Sequence, residues 1–251
     1  MPDVARGPVL LEVCVDTVAG LHAAVAGGAD RVELCSALAL GGLTPSAGLM
    51  AAAAHVPVPV RAMIRPRAGD FVYAGGDHDV MRRDIDAARA CGLAGIVVGA
   101  NMPDGRLDMD LLDHLVRHAA GLEVTLHRAV DLVPGGVEAV DSAVALGIAT
   151  ILTSGGARTA SAGVARMAAM QARAGDRIQI MAGSGITAET ALDVIAATGV
   201  PAVHASCSRI TSVADSRAVA FGFAPEGLRD TDQSVVAGLR QVLDGERPVA
   251  A

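Results

Sequence analysis

Residues 30–44 read DRVELCSALALGGLT. The run Arg31-Val32-Glu33-Leu34-Cys35 has the length and β-branched content of a core strand, yet it carries two charges and a thiol. Side chains on a strand alternate between its two faces. Val32 and Leu34 therefore share one face, and Arg31, Glu33 and Cys35 share the other. The preceding strand-like run repeats the arrangement, with Leu11 and Val13 on one side and Glu12 and Cys14 on the other. A fold is needed in which consecutive strands turn an apolar face to one layer and a polar face to an interior that uses it.

The rest of the chain supplies that fold. Strand-type runs occur at Val9–Cys14, Arg31–Cys35, Val60–Arg65, Gly95–Gly99, Glu123–Arg128, Thr150–Ser154, Ile178–Ala182 and Ala202–Ser206. Ala-rich helical segments separate them. Several of these end in glycine just before the next strand, at Gly27-Gly28, Gly92, Gly147 and Gly199, where glycine stops a helix by entering the left-handed region. Thr44-Pro45 reads as a helix N-cap followed by proline in the first turn. Strands joined by single helices run parallel, and eight such units in 251 residues give a closed (β/α)₈ TIM barrel forming one domain over residues 1–251. An open doubly wound sheet would carry a Gly-rich turn after its first strand; here that strand runs into Cys14-Val15-Asp16. Residues 207–230 form a long loop ahead of a last helix at Thr231–Leu243.

Composition narrows the function. Hydrophobic residues make up 52% and charged residues 19%, which excludes a disordered chain. The net charge is −7 without runs of like charge, so neither nucleic acid nor an anionic membrane is the expected partner. No apolar stretch reaches bilayer length, and the opening MPDVARGPVL is no signal peptide, so a cytoplasmic location is expected. All 20 basic residues are arginine, which excludes lysine Schiff-base chemistry. The four cysteines form no CxxC pair.

Polar residues at the C-terminal ends of barrel strands face the active-site mouth. Applying the alternation of the opening stretch to every strand gathers Glu12 and Cys14, Glu33 and Cys35, Arg65 with Arg67, His127 with Arg128, Ser154, and His204 at that rim. Buried charge is tolerated when paired or put to use. Two chemistries fit. Ser154-Gly155-Gly156 and Gly183-Ser184-Gly185 follow strands six and seven, where glycine lets backbone N–H groups approach an anion. Arg65, Arg67 and Arg128 add charge for a small anionic ligand. Glu12, Glu33, Arg65 and His127 would then perform general acid–base work on an anionic or sugar-like substrate, with His127 or Glu33 carrying the proton. Alternatively, Cys14 and Cys35 end neighbouring strands about 5 Å apart and offer two soft sulfurs to Cu(I) or Zn(II).

The phrases LEVCVDTVAGLHAAVAGGADRVELCSALALGGLTPS, IRPRAGDFVY, LHRAVD, LTSGGA, IMAGSGI and VHASCS together resemble the CutC family, known as copper homeostasis proteins. The resemblance runs from about Leu10 to Cys207. It implies a soluble intracellular TIM barrel that assembles as a homodimer or larger homo-oligomer. It also implies a Cu(I) site at Cys14 and Cys35, and hence a cytoplasmic copper homeostasis protein. The alternative is a barrel enzyme acting on a small anionic or sugar-like substrate.

Overall fold

The computed structural model describes residues 8–212 and 215–245. Eight parallel strands close into a barrel in sequence order: β1 (Leu10–Val15), β2 (Arg31–Leu34), β3 (Val60–Met63), β4 (Gly95–Val98), β5 (Glu123–Leu126), β6 (Thr150–Thr153), β7 (Gln179–Gly183) and β8 (Ala202–Ala205). The ring is sealed by β1 pairing with β8. Helices α1 (Val18–Ala26), α2 (Ala47–Ala53), α3 (Gly75–Ala90), α4 (Met109–His118), α5 (Ala139–Ala145), α6 (Val164–Ala174) and α7 (Ala191–Thr198) occupy the crossovers. Each of the eight expected strands is present, and the fold is a (β/α)₈ TIM barrel. Among the described residues no helix is long and apolar enough to cross a membrane.

The chain folds this way because each strand has an apolar side to bury. Leu11, Val13, Val32, Leu34, Ile96 and Ile180 point out of the ring and lie fully buried in the layer shared with the helices. Burying such a side chain stabilises the fold by roughly 1.5–3 kcal/mol. The inward side carries Glu12, Arg31, Glu33, Arg61, Arg65, Thr125 and His127, all buried. Small apolar plugs fill the space between them, one of Leu152, Met181 and Ala202, the other of Cys35, Met63 and Val97.

Two local expectations are corrected. Thr44 does not cap α2; Ser46 does, accepting from the Leu49 N–H at 3.2 Å. Thr44 turns the other way, and its Oγ1 accepts the Arg65 N–H at 2.9 Å. Residues 207–230 are not a plain loop. They form an antiparallel ribbon, β9 (Ser208–Ser212) with β10 (Gly227–Thr231), carrying the short helix α8 (Ser216–Ala220). Helix α9 (Gln233–Leu243) follows, two residues shorter than expected because Asp232 is its cap. The ribbon was hidden because each strand carries a single apolar side chain, Ile210 or Leu228, leaving no apolar period to read.

Arg31 is the counter-charge of Glu12 inside the barrel, their side chains 6% and 0% exposed. Replacing Arg31 with methionine leaves a carboxylate in the core without its guanidinium partner. The expected loss is about 3–5 kcal/mol of unfolding free energy in urea; a loss below about 1 kcal/mol would show that Glu12 needs no such partner.

Candidate functional site

Parallel register sets which inward residues meet. Cys14 lies opposite Glu33, and Glu12 lies opposite both Arg31 and His204. The result is one connected chain of side chains. Arg31 Nε donates to Glu12 Oε2, Glu12 Oε1 meets His204 Nδ1 at 2.8 Å, and His204 Nε2 lies 3.8 Å from Glu33 Oε2. The Cys35 thiol donates to that same Glu33 oxygen at 3.5 Å.

The electrostatics differ between the two glutamates. Burial alone would raise the Glu12 pKa, but the His204 hydrogen bond and the Arg31 charge together bring it down to about 2. Glu12 is therefore a carboxylate, acceptor only, and His204 Nδ1 must carry the proton. Its Nε2 is left facing Glu33 and the barrel mouth. Glu33 is raised above the usual carboxylate range, first by burial and then, against the opposing pull of His204, by the charge of Glu12. Its Oε1 has no hydrogen-bond partner. Burial disfavours the imidazolium form of His204, yet Cys14 and Glu33 beside the ring raise its pKa well above the ordinary value.

These groups open into a cavity of about 410 Å³ at the C-terminal mouth, whose wall includes Cys14, Glu33, Arg65, Phe71, His127, His204 and Arg229. Arg65 is 6% exposed and held on three carbonyls: Nη1 donates to Leu40 O (2.9 Å) and Gly42 O (3.0 Å), Nη2 to Gly69 O (2.9 Å). This is what the double glycine does. Gly41 and Gly42 take φ of +86° and +82°, left-handed values that turn the loop onto the guanidinium. Among the described residues no carboxylate pairs with Arg65, and its Nε has no partner.

His127 is 3% exposed, and its Nδ1 accepts the Ala129 N–H at 3.1 Å. Burial, reinforced by the charge of Arg65, lowers its pKa to about 3. The ring is thus neutral, with the proton on Nε2, and that N–H has no acceptor. The expectation that His127 carries a proton through a reaction does not suit such a group; a fixed neutral donor does.

The remaining expected residues divide. Arg67 stands outside the cavity wall, paired with Asp77 at 3.1 Å and Asp70 at 3.3 Å. Arg128 borders the cavity but is bound to Asp131 (2.9 Å) and Ser154 Oγ (2.8 Å). The Ser154-Gly155-Gly156 loop is already closed on an anion of its own. Asp131 accepts from the N–H of Ser154 at 3.1 Å and of Gly156 at 2.9 Å, while Gly155 N–H donates to Thr153 Oγ1 at 2.9 Å. Ser184 and Gly185 do border the cavity. Gly183 lies beneath them, where a Cβ would come within 2.5 Å of Leu152.

The register sets the two expected cysteines at different heights: Cys14 is level with Glu33, whereas Cys35, just past the end of β2, is two residues further on and packs with Met63 and Val97. Two strand residues advance about 6.6 Å, a stagger that adjacency of strands alone did not reveal. Burial, then the charge of Glu33, holds the Cys35 thiol well above its ordinary pKa. A three-donor set stands beside it, in which ligating atoms of Cys14, Glu33 and His204 lie within 4.8 Å of one another. The partnerless Glu33 Oε1 and the Glu12 carboxylate behind His204 fit such a role, since metal-bound histidines commonly rest on a carboxylate. Sequence reasoning missed Phe71 and Arg229 in the cavity wall and Arg61 below it. Arg61-x-Met63-x-Arg65 carries the strand-β3 signal for Arg61.

The fold and this mouth define a TIM-barrel protein with a charged, ligand-sized pocket at the C-terminal ends of its strands. The chain belongs to the CutC family, whose model matches residues 9–209. Among its relatives, family protein CutC of Sinorhizobium medicae is 58% identical over 236 residues, covering 94% of this chain and 96% of that protein. A solved Streptococcus agalactiae structure, named for the copper homeostasis protein CutC, is 32% identical with a TM-score of 0.76, covering 79% of this chain and 98% of that one. Phosphoribosylanthranilate isomerase of Thermotoga maritima shares the fold alone (TM-score 0.58, 14% identity, 94% and 99% coverage).

The His127 pKa implies a specific pH dependence. Unfolded, the imidazole takes up a proton near its ordinary 6.5; folded, only near 3. Between these values the unfolded chain binds more protons, so stability falls as pH falls. The slope from this residue approaches about 1.4 kcal/mol per pH unit. Glu12 acts in a lower window, below 4.5, and His204 in a higher one, above 6.5. Glu33, raised above 4.5, opposes His127 in the same window, so the contribution is read as a difference. In urea titrations at pH 6 and 5, wild type should lose more stability on acidification than His127→Leu does; equal changes in both would show that His127 titrates normally.

Proposed function

We propose that the chain is an enzyme acting on a small anionic molecule by proton transfer at the C-terminal mouth of the barrel. The observation that carries this is Arg65, a buried cation with no carboxylate partner, in the wall of the same cavity as the His204–Glu33 pair. Buried charges are kept only when something answers them, and here the answering charge is assigned to the substrate. Arg65 binds and orients it. Glu12 holds the Nδ1–H of His204, whose raised pKa keeps a proton on Nε2 as well, so that Nε2–H is the group that gives a proton and the adjacent Glu33 carboxyl the group that exchanges with it.

Deuterium wash-in from D₂O, followed by NMR on mixtures of small carboxylic and phosphorylated metabolites, tests this while also picking out the substrate. Glu33→Gln should slow exchange of the responding compound by about 10²–10⁴. Exchange at the wild-type rate in Glu33→Gln, or none with any compound in wild type, would sink the assignment.

The three-donor cluster favours a second reading, in line with the copper homeostasis name of the Streptococcus relative: a copper site. Cys14 Sγ, His204 Nε2 and Glu33 would hold the ion, one sulfur rather than the two expected. Thiolate and imidazole suit copper and zinc alike, and the carboxylate tilts the set toward zinc. Competition against a chelating dye should show Cu(I) and Zn(II) affinity falling at least tenfold in Cys14→Ser and holding in Cys35→Ser. The opposite order would return the site to Cys35.

A further inference from the structure

One residue reaches the cavity wall from outside the barrel proper. Arg229 stands on β10 of the ribbon, exposed to solvent, and borders the cavity. Its guanidinium is held by Ser208 alone, Nε donating to Oγ at 3.1 Å and Nη2 to the carbonyl at 3.1 Å. Among the described residues no carboxylate pairs with it, whereas the neighbouring arginines are answered, Arg217 by Asp215 (2.9 Å) and Arg209 by Asp232 (3.6 Å). Nor does the ribbon hang loose. Thr17 Oγ1 donates to Asp230 Oδ1 at 3.2 Å, and the Asp232 N–H donates to Cys207 O at 2.9 Å, which ties the end of β10 to the end of β8.

The turn after β7 borders the same cavity from the adjacent strand. Gly183 is the register partner of His204, so this turn and the ribbon rise from neighbouring strands, about 4.8 Å apart. Ser184 and Gly185 both take left-handed φ, +77° and +74°. A serine there needs support, and the chain between β6 and α6 supplies it: Ser184 Oγ donates to Arg158 O at 2.7 Å, and the Ala160 N–H donates to Ser184 O at 2.9 Å. The turn is therefore fixed by the fold itself. Gly185 is exposed, and its N–H donates to no protein acceptor among the described residues.

We propose that Arg229 and the Gly185 turn form a phosphate-binding end of the pocket, so that the substrate is a small phosphate monoester. This rests on the acid–base reading of the same mouth and specifies its substrate. Arg65 and Arg229 make two cations in one wall without a carboxylate partner, and a phosphate monoester brings close to two negative charges and three acceptor oxygens at neutral pH. A forked guanidinium and a backbone N–H are the donors such a group takes. The rim position suits a group that keeps part of its hydration, while the carbon end reaches toward His204 and Glu33. The loop after β6 offers no rival site, since Asp131 fills it. A cavity of about 410 Å³ is at the small end for ligand pockets, roughly 300–1,000 Å³.

The test is a binding experiment that needs no turnover. Inorganic phosphate is titrated into ¹⁵N-labelled protein, with acetate as the comparison, and amide resonances report both place and affinity. Phosphate should shift the Gly185 amide, and acetate should bind more weakly. Arg229→Ala should weaken phosphate binding about tenfold. Arg229→Lys, which keeps the charge without the fork, should weaken it less, and Arg217→Ala, elsewhere on the same ribbon, should leave it unchanged. A Gly185 amide unmoved by phosphate, acetate binding as tightly, unchanged affinity in Arg229→Ala, or an equal loss in Arg217→Ala would each overturn the phosphate end. Should Arg229→Ala lose the ribbon, as its Ile210 and Leu228 amides would reveal, the lysine variant and the wild-type Gly185 shift decide. Phosphate binding that meets these expectations while Glu33→Gln exchanges deuterium at the wild-type rate would remove the acid–base reading and leave the phosphate end standing.

Discussion

The interior of this barrel is organised by the need to keep a buried carboxylate charged. Glu12 is fully enclosed by the ring, in surroundings that by themselves would force it to take up a proton. Arg31 on one side and His204 on the other prevent that. Because the three residues come from β1, β2 and β8, the constraint fixes the register across the seam where the ring closes. It also determines what happens one layer higher. With its Nδ1 committed to Glu12, His204 presents only Nε2 to the mouth, beside Glu33 and Cys14. The donor set presented at the rim is thus set by a salt bridge one layer below it.

A second group of residues lines the same mouth under a different rule. Arg65 and His127 are satisfied almost entirely by backbone: carbonyls of the glycine-turned loop for one, an amide N–H for the other. Main-chain partners are part of the fold, so they hold a side chain without neutralising it. The mouth therefore combines mutually paired charges with polar side chains held by main chain alone.

Much of this was legible in the sequence because one period governs it. Alternation along Leu11–Cys14 and Arg31–Cys35 separates the helix-facing from the lumen-facing residues, and eight such runs specify the ring. The convergence of Glu12, Glu33, Arg65, His127 and His204 follows from the same phase. What alternation does not supply is height along the barrel axis. Cys14 and Cys35 look equivalent as strand ends, yet the stagger between neighbouring strands pairs Cys14 with Glu33. Nor does it show how a polar group is occupied. Ser154-Gly155-Gly156 has the composition of an anion-binding loop, and its occupant, Asp131, lies more than twenty residues earlier. Thr44 likewise has the residue type of a helix cap but serves the Arg65 backbone instead. Each of these depends on a partner remote in the chain, and no local pattern encodes it.

The tethered occupant of that loop has a kinetic meaning. A ligand joined to its receptor by the backbone acts at an effective concentration in the millimolar range even through a flexible linker, and Asp131 sits on a short, ordered turn. Free phosphate would have to outcompete a resident that never diffuses away. The loop after β6 thus behaves as a permanently inhibited anion receptor, and solutes entering the barrel are sorted by the remaining walls alone.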